Sequence, residues 1–366
     1  MAKNLCTVIT GTGSYIPERV IPNSDFLSNE FYNPNGERIT EPNSKTIEKF
    51  KEITGISERR YVEEGVFTSD MAYEAARECL NDADVDPEGV DYVVVAHNFG
   101  DVNEKGRISL VPSLSMKVKG KLGIKNRKTE CYDIPFGCPG WLQGVVMVDK
   151  FFRKGLGKKA LVIGAETLSR VSDPHDRDSM IYADGAGATL LQATESEEPV
   201  GILSSVVDCG DSSTYDIMWM GETYGPEKDG RLYFKMRGHE VFKYGVKHVP
   251  RVVKESLDIA GLKLEDILKI LIHQANHKMD YAIVRKLFRL YGIEASEQEI
   301  ERVMPMTISW LGNTSVATVP TLFDRIMKRE ERGELNNHEL KSGDNIVFAS
   351  IGAGGPNINS VVYRMP

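Results

Sequence analysis

Two stretches of this chain read alike: Glu78-Cys-Leu80-Asn-Asp-Ala83 with Glu88-Gly-Val-Asp-Tyr-Val-Val-Val95, and Glu255-Ser-Leu257-Asp-Ile-Ala260 with Glu265-Asp-Ile-Leu-Lys-Ile-Leu-Ile272. Laid over each other at a shift of 177 residues, Glu, Leu, Ala and Glu coincide without a gap. Each stretch is a helix end, a polar turn and a short apolar run, a helix–loop–strand unit. A unit met twice at one shift points to a duplicated βα architecture. The same shift carries Cys138 onto Ser315, two residues beyond Asn313. Later, Ala160-Leu-Val-Ile-Gly164 and Asn345-Ile-Val-Phe-Ala349 read as matching strands, each leading into glycine-rich chain. Apolar strands alternating with amphipathic helices predict an α/β chain with mainly parallel sheets covered on both faces. Two similar halves follow, residues 1–195 and 196–366. Equivalent loops of such halves face each other, so a site between them draws on both.

Working outward, residues 5–10 form a short apolar run closed by Gly11-Thr-Gly13, read as a strand and a turn. It is not a dinucleotide loop, because the third glycine of that motif is Ile16 here, followed by Pro17. Residues 32–46, rich in Asn, Pro and Gly, read as a surface loop, and residues 68–83 as a helix. A net charge of −8 disfavours a general nucleic-acid binder, whose phosphate contacts need a basic surface. Five cysteines, odd in number and without a C-x-x-C pair, fit neither a disulfide framework nor a zinc site and suit a reducing compartment. No charged-then-apolar leader and no apolar run of about 18 residues is present, so the expectation is a cytoplasmic protein without membrane insertion. No metal or other cofactor is expected, since no clustered ligand spacing occurs.

Three segments carry reactive side chains: Asp133-Ile-Pro-Phe-Gly-Cys138-Pro-Gly-Trp, Ile272-His273-Gln-Ala-Asn276 and Leu311-Gly-Asn313-Thr-Ser. The first reads as a strand end followed by a buried helix with Pro139 in its opening turn, where a missing N–H costs nothing. Cys138 therefore falls at a helix N-terminus, whose positive dipole end favours a thiolate. His273 closes the apolar run Ile270-Leu-Ile272, at a strand's C-terminal end, the usual place for active residues in α/β folds. A neutral imidazole and an asparagine amide can each donate to a carbonyl oxygen, and two donors stabilise an enolate. Taken singly, Cys138 reads first as a small buried residue, and Asn313 equally as a turn or cap residue. Cys6, Cys79, Cys131 and Cys209 read as structural, and His97, ending the equivalent strand, as a satisfied core histidine.

In this order the segments resemble the Cys-His-Asn set of the β-ketoacyl-acyl-carrier-protein synthase III family, within the thiolase superfamily. The resemblance runs from Gly11 to Tyr363. It implies a thiolase-like five-layer αβαβα fold and a homodimer. It also implies an acyltransferase acting by ping-pong Claisen condensation. Cys138 would take an acyl group from a thioester. His273 and Asn313 would then promote decarboxylation of a malonyl-type thioester, whose carbanion attacks the acyl-enzyme. Asn276 matches a polar position that orients this set. Gly354 and the Cys138 N–H match the family's oxyanion hole, although Gly352-Ala-Gly-Gly355 reads equally as a tight turn. The family usually flanks its cysteine with alanines; Gly137 and Pro139 stand here, which leaves the thiol role intact and the pocket's exact shape open.

Lys278, Arg285 and Arg289 recur at near-helical spacing after His273, a basic stripe that would steer an acidic acyl carrier protein. Lys243, Lys278, Arg285 and Lys286 match carrier-docking positions in the family; most such stripes are only solvated helix faces. Arg170 matches an arginine that holds coenzyme A, but the partnering tryptophan falls near Lys49, so the acyl thioester is left open as coenzyme A or carrier-bound. Val111 matches a pocket residue reaching across the dimer. The rivals are a secondary-metabolite condensing enzyme joining two acyl thioesters, and an acyltransferase or thioesterase using the same acyl-cysteine. A non-catalytic partner of another synthase is disfavoured because such subunits typically lose the cysteine.

Overall fold

The computed structural model describes residues 4–228, 230–329, 335, 337–352 and 356–366. One sheet is built from β1 (Asn4–Tyr15), β2 (Tyr92–Ala96), β3 (Glu130–Ile134), β4 (Lys159–Thr167) and β5 (Asp184–Ser196), in the order β1-β5-β4-β2-β3. The second is built from β6 (Gly201–Asp208), β7 (Ile267–Ile272), β8 (Asn345–Gly352) and β9 (Asn357–Arg364), in the order β6-β9-β8-β7. Strand for strand the second repeats the first, without a counterpart of β3 among the described residues. The expectation of mainly parallel sheets is corrected here. β2 runs parallel to β3 and β4, and β7 parallel to β8. The other four pairings, β1–β5, β4–β5, β8–β9 and β6–β9, are antiparallel. β5, which opens on Asp184-Gly-Ala-Gly187, and β9 each lie antiparallel beside the strand that precedes them, β4 and β8.

Helices α1 (Thr68–Asp82) and α2 (Leu114–Lys121) cover the outer face of the first sheet. Between the sheets lie α3 (Gly140–Arg153) and α6 (Thr318–Met327). Covering the second sheet's outer face are α4 (Gly238–Ala260) and, packed beside it, α5 (His277–Leu290). This is the five-layer thiolase-like arrangement. A helix between two sheets has no solvated side, which is why α3 reads apolar nearly all round. Trp141 of α3 and Phe323 of α6 meet the ring of Phe348 on β8 edge-on at 5.5 and 5.1 Å.

Gly11-Thr-Gly13 is not a turn but the middle of β1, whose register slips between Ile9 and Gly11. The glycines serve close approach. A Cβ at Gly11 would sit 2.6 Å from the Cys79 carbonyl oxygen, and one at Gly13 would sit 2.5 Å from the Cys79 nitrogen. The small face of α1, Ala72, Ala75, Ala76 and Cys79, is thereby pressed directly onto the strand backbone. The loop before residue 43 carries a two-residue bridge, Tyr32 to Arg38, and hands over to a helix at Asn43–Thr54, earlier than the expected loop end. Among the described residues no helix is long and apolar enough to cross a membrane, and no His/Cys/Asp/Glu group could hold a metal.

Candidate active site

Cys138 lies between the end of β3 and the start of α3. Pro139, with φ −81° and ψ 0°, is the cap residue and the helix opens at Gly140, one residue later than the sequence predicts. Gly140 N–H donates to the Gly137 carbonyl at 2.7 Å, winding the chain tightly through the cysteine. The thiol is half-buried beside the helix's positive end. The last residue of β8 closes over it: a Cβ at Gly352 would lie 2.5 Å from Cys138 Cβ and closer still to the sulfur. Only a glycine fits there. The wall against the Cys138 thiol thus comes from the second sheet.

His273 leaves β7 with its N–H donating to the Ala349 carbonyl of β8 at 2.8 Å, and only 1% of the residue is exposed. Burial pushes its pKa down to about 3, against a weaker opposing hydrogen bond with the Ser315 backbone. The ring is therefore neutral at physiological pH. Its Nδ1 is buried without a hydrogen-bond partner among the described residues. Gln274, fully buried, pins the strand exit by donating to the Pro305 carbonyl at 3.1 Å and accepting from Thr307 N–H at 2.8 Å. Asn276 caps α5, accepting from Met279 N–H at 2.8 Å. This is a structural task beside the orienting one its match implied.

Asn313 forms an isolated parallel bridge with the segment just before β5: its N–H donates to the Ile181 carbonyl and its own carbonyl accepts from Ala183 N–H, both at 2.9 Å. Its side-chain Oδ1 accepts from Ser315 N–H at 2.8 Å, so Nδ2 is the donor left to face a ligand. Tyr182, bridged to Asn313, lines the same region. Burial and the nearby Asp178 push its phenol well above the usual range. Its ring meets Phe234 edge-on at 5.4 Å, and Phe234 meets Phe99 at 6.0 Å, an aromatic wall. Ser315, which joins these residues, drew notice from the sequence as the shift partner of Cys138 and the end of the Leu311–Ser315 segment, with no role assigned; its Oγ lies 3.4 Å from the Cys138 sulfur. Asn98 and Glu166, behind Ser315, carried no signal at all.

The outlying expectations fare differently. Lys278 pairs with Glu52 at 3.1 Å, Arg285 with Glu297 at 3.6 Å and Arg289 with Glu294 at 3.1 Å, so the stripe is largely neutralised. Lys286 and Lys243 are exposed, and Lys243 continues along α4 with exposed Lys247 and Arg251. Arg170 is turned inward, donating to the Val102 and Glu63 carbonyls at 2.7 and 2.9 Å, with its side chain 8% exposed. No free guanidinium is presented to an adenine. Val111 is 87% exposed next to exposed Ile108 and Leu110. Cys6 and Cys79 are buried, whereas Cys209 is exposed and is not a core residue. Gly354 lies outside the described residues.

Residues 132–211 match the family model for 3-oxoacyl-[acyl-carrier-protein] synthase III, and residues 257–365 match the model for its C-terminal part. A β-ketoacyl-[acyl-carrier-protein] synthase III of Alkalilimnicola ehrlichii is 35% identical over 351 residues, covering 94% of this chain and 95% of that relative. The crystal structure of the Pseudomonas aeruginosa 3-oxoacyl-(acyl carrier protein) synthase III superposes with TM-score 0.79 at 26% identity, covering 99% of this chain and 98% of that one. The priming β-ketosynthase of the R1128 polyketide pathway superposes with TM-score 0.78 at 25% identity, covering 100% and 98%.

Proposed function

We propose, since the chain belongs to the β-ketoacyl-[acyl-carrier-protein] synthase III family, that it is a condensing enzyme joining an acyl group to a malonyl-type thioester. The observation that carries this reading is the meeting of a helix-end thiol, a buried neutral imidazole and a fixed amide donor around Ser315. The Cys138 thiolate attacks a thioester carbonyl, the carbonyl is restored, the carrier thiol leaves, and an acyl-cysteine remains. The malonyl thioester then enters. Ring N–H of His273 and Nδ2–H of Asn313 donate to its thioester oxygen while the carboxylate departs as carbon dioxide. An imidazole with a pKa near 3 is a poor base, so its use is as a neutral donor. The resulting enolate carbon attacks the acyl-cysteine carbonyl, the carbon–sulfur bond breaks, and the thiolate is regenerated.

Acyl carrier protein is the proposed donor of the malonyl group, docking on exposed Lys243 and Lys286, with Lys278 and Arg285 nearby but paired to acids. The inward turn of Arg170 supports a carrier-bound rather than coenzyme A first substrate. Exposed Ile108, Leu110 and Val111 support a homodimer in which Val111 reaches the partner's pocket. The units of the duplication are residues 1–195 and 196–366, and the proposed setting is the cytoplasm. The likeness to a priming ketosynthase of a polyketide pathway supports a second reading, a specialised starter enzyme with the same chemistry.

Intact-mass spectrometry after incubation with a panel of acyl-coenzyme A and acyl-carrier thioesters tests the proposal. The expected result is an acyl mass on the Cys138 peptide, followed by carbon dioxide release when malonyl-carrier is added. Acyl transfer to water without a longer product would sink condensation and leave a thioesterase.

A further inference from the structure

Ser315 touches every member of the proposed catalytic set. Its N–H holds Asn313 Oδ1 at 2.8 Å, its backbone hydrogen-bonds the His273 ring, and its Oγ lies 3.4 Å from the Cys138 sulfur. It sits at φ +52°, a left-handed conformation that a non-glycine residue keeps only where the surroundings over-determine it. Those surroundings include a second polar group. Asn98 Nδ2 carries two hydrogens. One goes to Glu166 Oε2 at 2.6 Å, the other to Ser315 Oγ at 3.3 Å. The backbone N–H of Asn98 also donates to Glu166 Oε2, at 2.8 Å, so one carboxylate oxygen anchors Asn98 at two points. Glu166 itself lies fully buried on β4.

A hydroxyl oxygen that accepts from Asn98 keeps its own hydrogen for another acceptor. Among the described residues the Cys138 sulfur, 3.4 Å away, is an acceptor in reach. We propose that Ser315 is a positioning residue that donates its hydroxyl hydrogen to the Cys138 sulfur, with Asn98 and Glu166 fixing the direction of that bond. This rests on the reading of Cys138 as the nucleophile and adds how its thiolate is held. A hydrogen bond to the charged form favours that form, beyond what the helix end supplies. No proton crosses the chain, because the Asn98 amide donates without transferring; Glu166–Asn98–Ser315 orients a dipole and relays nothing. The ionisable groups facing Glu166 are His97 and Asp184; Tyr182 faces the sulfur, with Asp176 and Asp178 behind it, and His273 lies on the Ser315 backbone. His273 stays neutral and Tyr182 protonated through the neutral range.

The experiment is the pH dependence of Cys138 alkylation by iodoacetamide on the unacylated protein, read by mass spectrometry of the Cys138 peptide. Ser315→Ala should raise the alkylation midpoint by about one pH unit, slowing the reaction at pH 7 roughly tenfold. Asn98→Ala, which leaves the hydroxyl but frees its direction, should shift the midpoint the same way by less. Midpoints equal to wild type in both variants would overturn the proposal. Should Ser315→Ala fail to fold, as judged by thermal melting, Asn98→Ala decides alone. A wild-type Cys138 no more reactive than exposed Cys209 would instead remove the nucleophile reading, and this inference with it.

Discussion

Two histidines stand at the ends of equivalent strands, and their surroundings engage the ring nitrogens differently. His97, after β2, has both ring nitrogens engaged. Its Nδ1 accepts from Gly100 N–H at 2.9 Å, which leaves Nε2 to carry the proton toward Asp133 at 3.1 Å. His273, after β7, is as deeply buried, yet its Nδ1 has no hydrogen-bond partner among the described residues. The first is a satisfied bracket between loops. The second retains hydrogen-bonding capacity and shares Ser315 with the Cys138 thiol. The loops that precede the central helices diverge in the same way: Cys138 leads into the 14-residue α3, whereas Ser315, its partner under the 177-residue shift, sits at φ +52° with its Oγ 3.4 Å from the Cys138 sulfur. Duplication supplied two similar frames, and the chemistry follows from which polar groups each frame leaves unpaired.

The sharpest way to break this contrast is at the thiol. Cys138→Ala should abolish acyl-enzyme formation in intact-mass spectra while leaving the thermal midpoint close to wild type, since little volume is lost. A retained acyl adduct would disqualify Cys138. Next in size, His273→Ala or Asn313→Ala should slow ¹⁴CO₂ release by ~10²–10³, with a smaller loss in single-turnover acylation. Equal losses in both steps would show that the pair merely positions the sulfur. His97→Ala should do the reverse, costing about 1–3 kcal/mol of stability by leaving the buried Gly100 N–H without its acceptor. Urea unfolding beside the same carbon dioxide assay separates the two histidines.

The pH dependence of stability sharpens the contrast further. Burial takes the His273 pKa from its ordinary value near 6.5 to about 3, so between those values the unfolded chain binds the proton and the folded one does not. Stability from this residue is present above about pH 6.5 and drains away as pH falls toward 3. His273→Gln should flatten that part of the stability–pH curve in denaturant melts, and an unchanged slope would contradict the buried neutral ring. The smallest effect is expected at the surface. Lys243→Glu with Lys286→Glu should raise KM for carrier-bound malonyl several-fold and spare a neutral N-acetylcysteamine thioester. Lys278→Glu, whose charge is already paired with Glu52, should do less. Added salt should mimic the double variant, because exposed charges are screened beyond ~8–10 Å. Equal losses on both substrates would make the surface a solvated face only.

Asn313, read as a turn or cap residue, forms a bridge to the distant Tyr182, whereas the thiol at the helix end and the histidine at the strand end were legible in local pattern, because each depends on its immediate neighbours in the chain. So were the duplication and the helix over residues 68–82, whose signals are periodicity and repetition. Three things were not. The antiparallel return strands and the run of β1 through Gly11 and Gly13 depend on what packs against them, here the small face of α1. The acidic partners of Lys278 and Arg285 come from residues 52 and 297, one of them more than two hundred positions away. Asn98, Glu166 and Ser315 are ordinary polar residues in sequence, and only folding brings them behind the sulfur. By itself the sequence determined which groups are able to react, since reactivity begins with residue type and local backbone. Tertiary structure alone decided which of them is left unpaired in a low-dielectric interior, because burial and hydrogen-bond satisfaction are properties of neighbours in space.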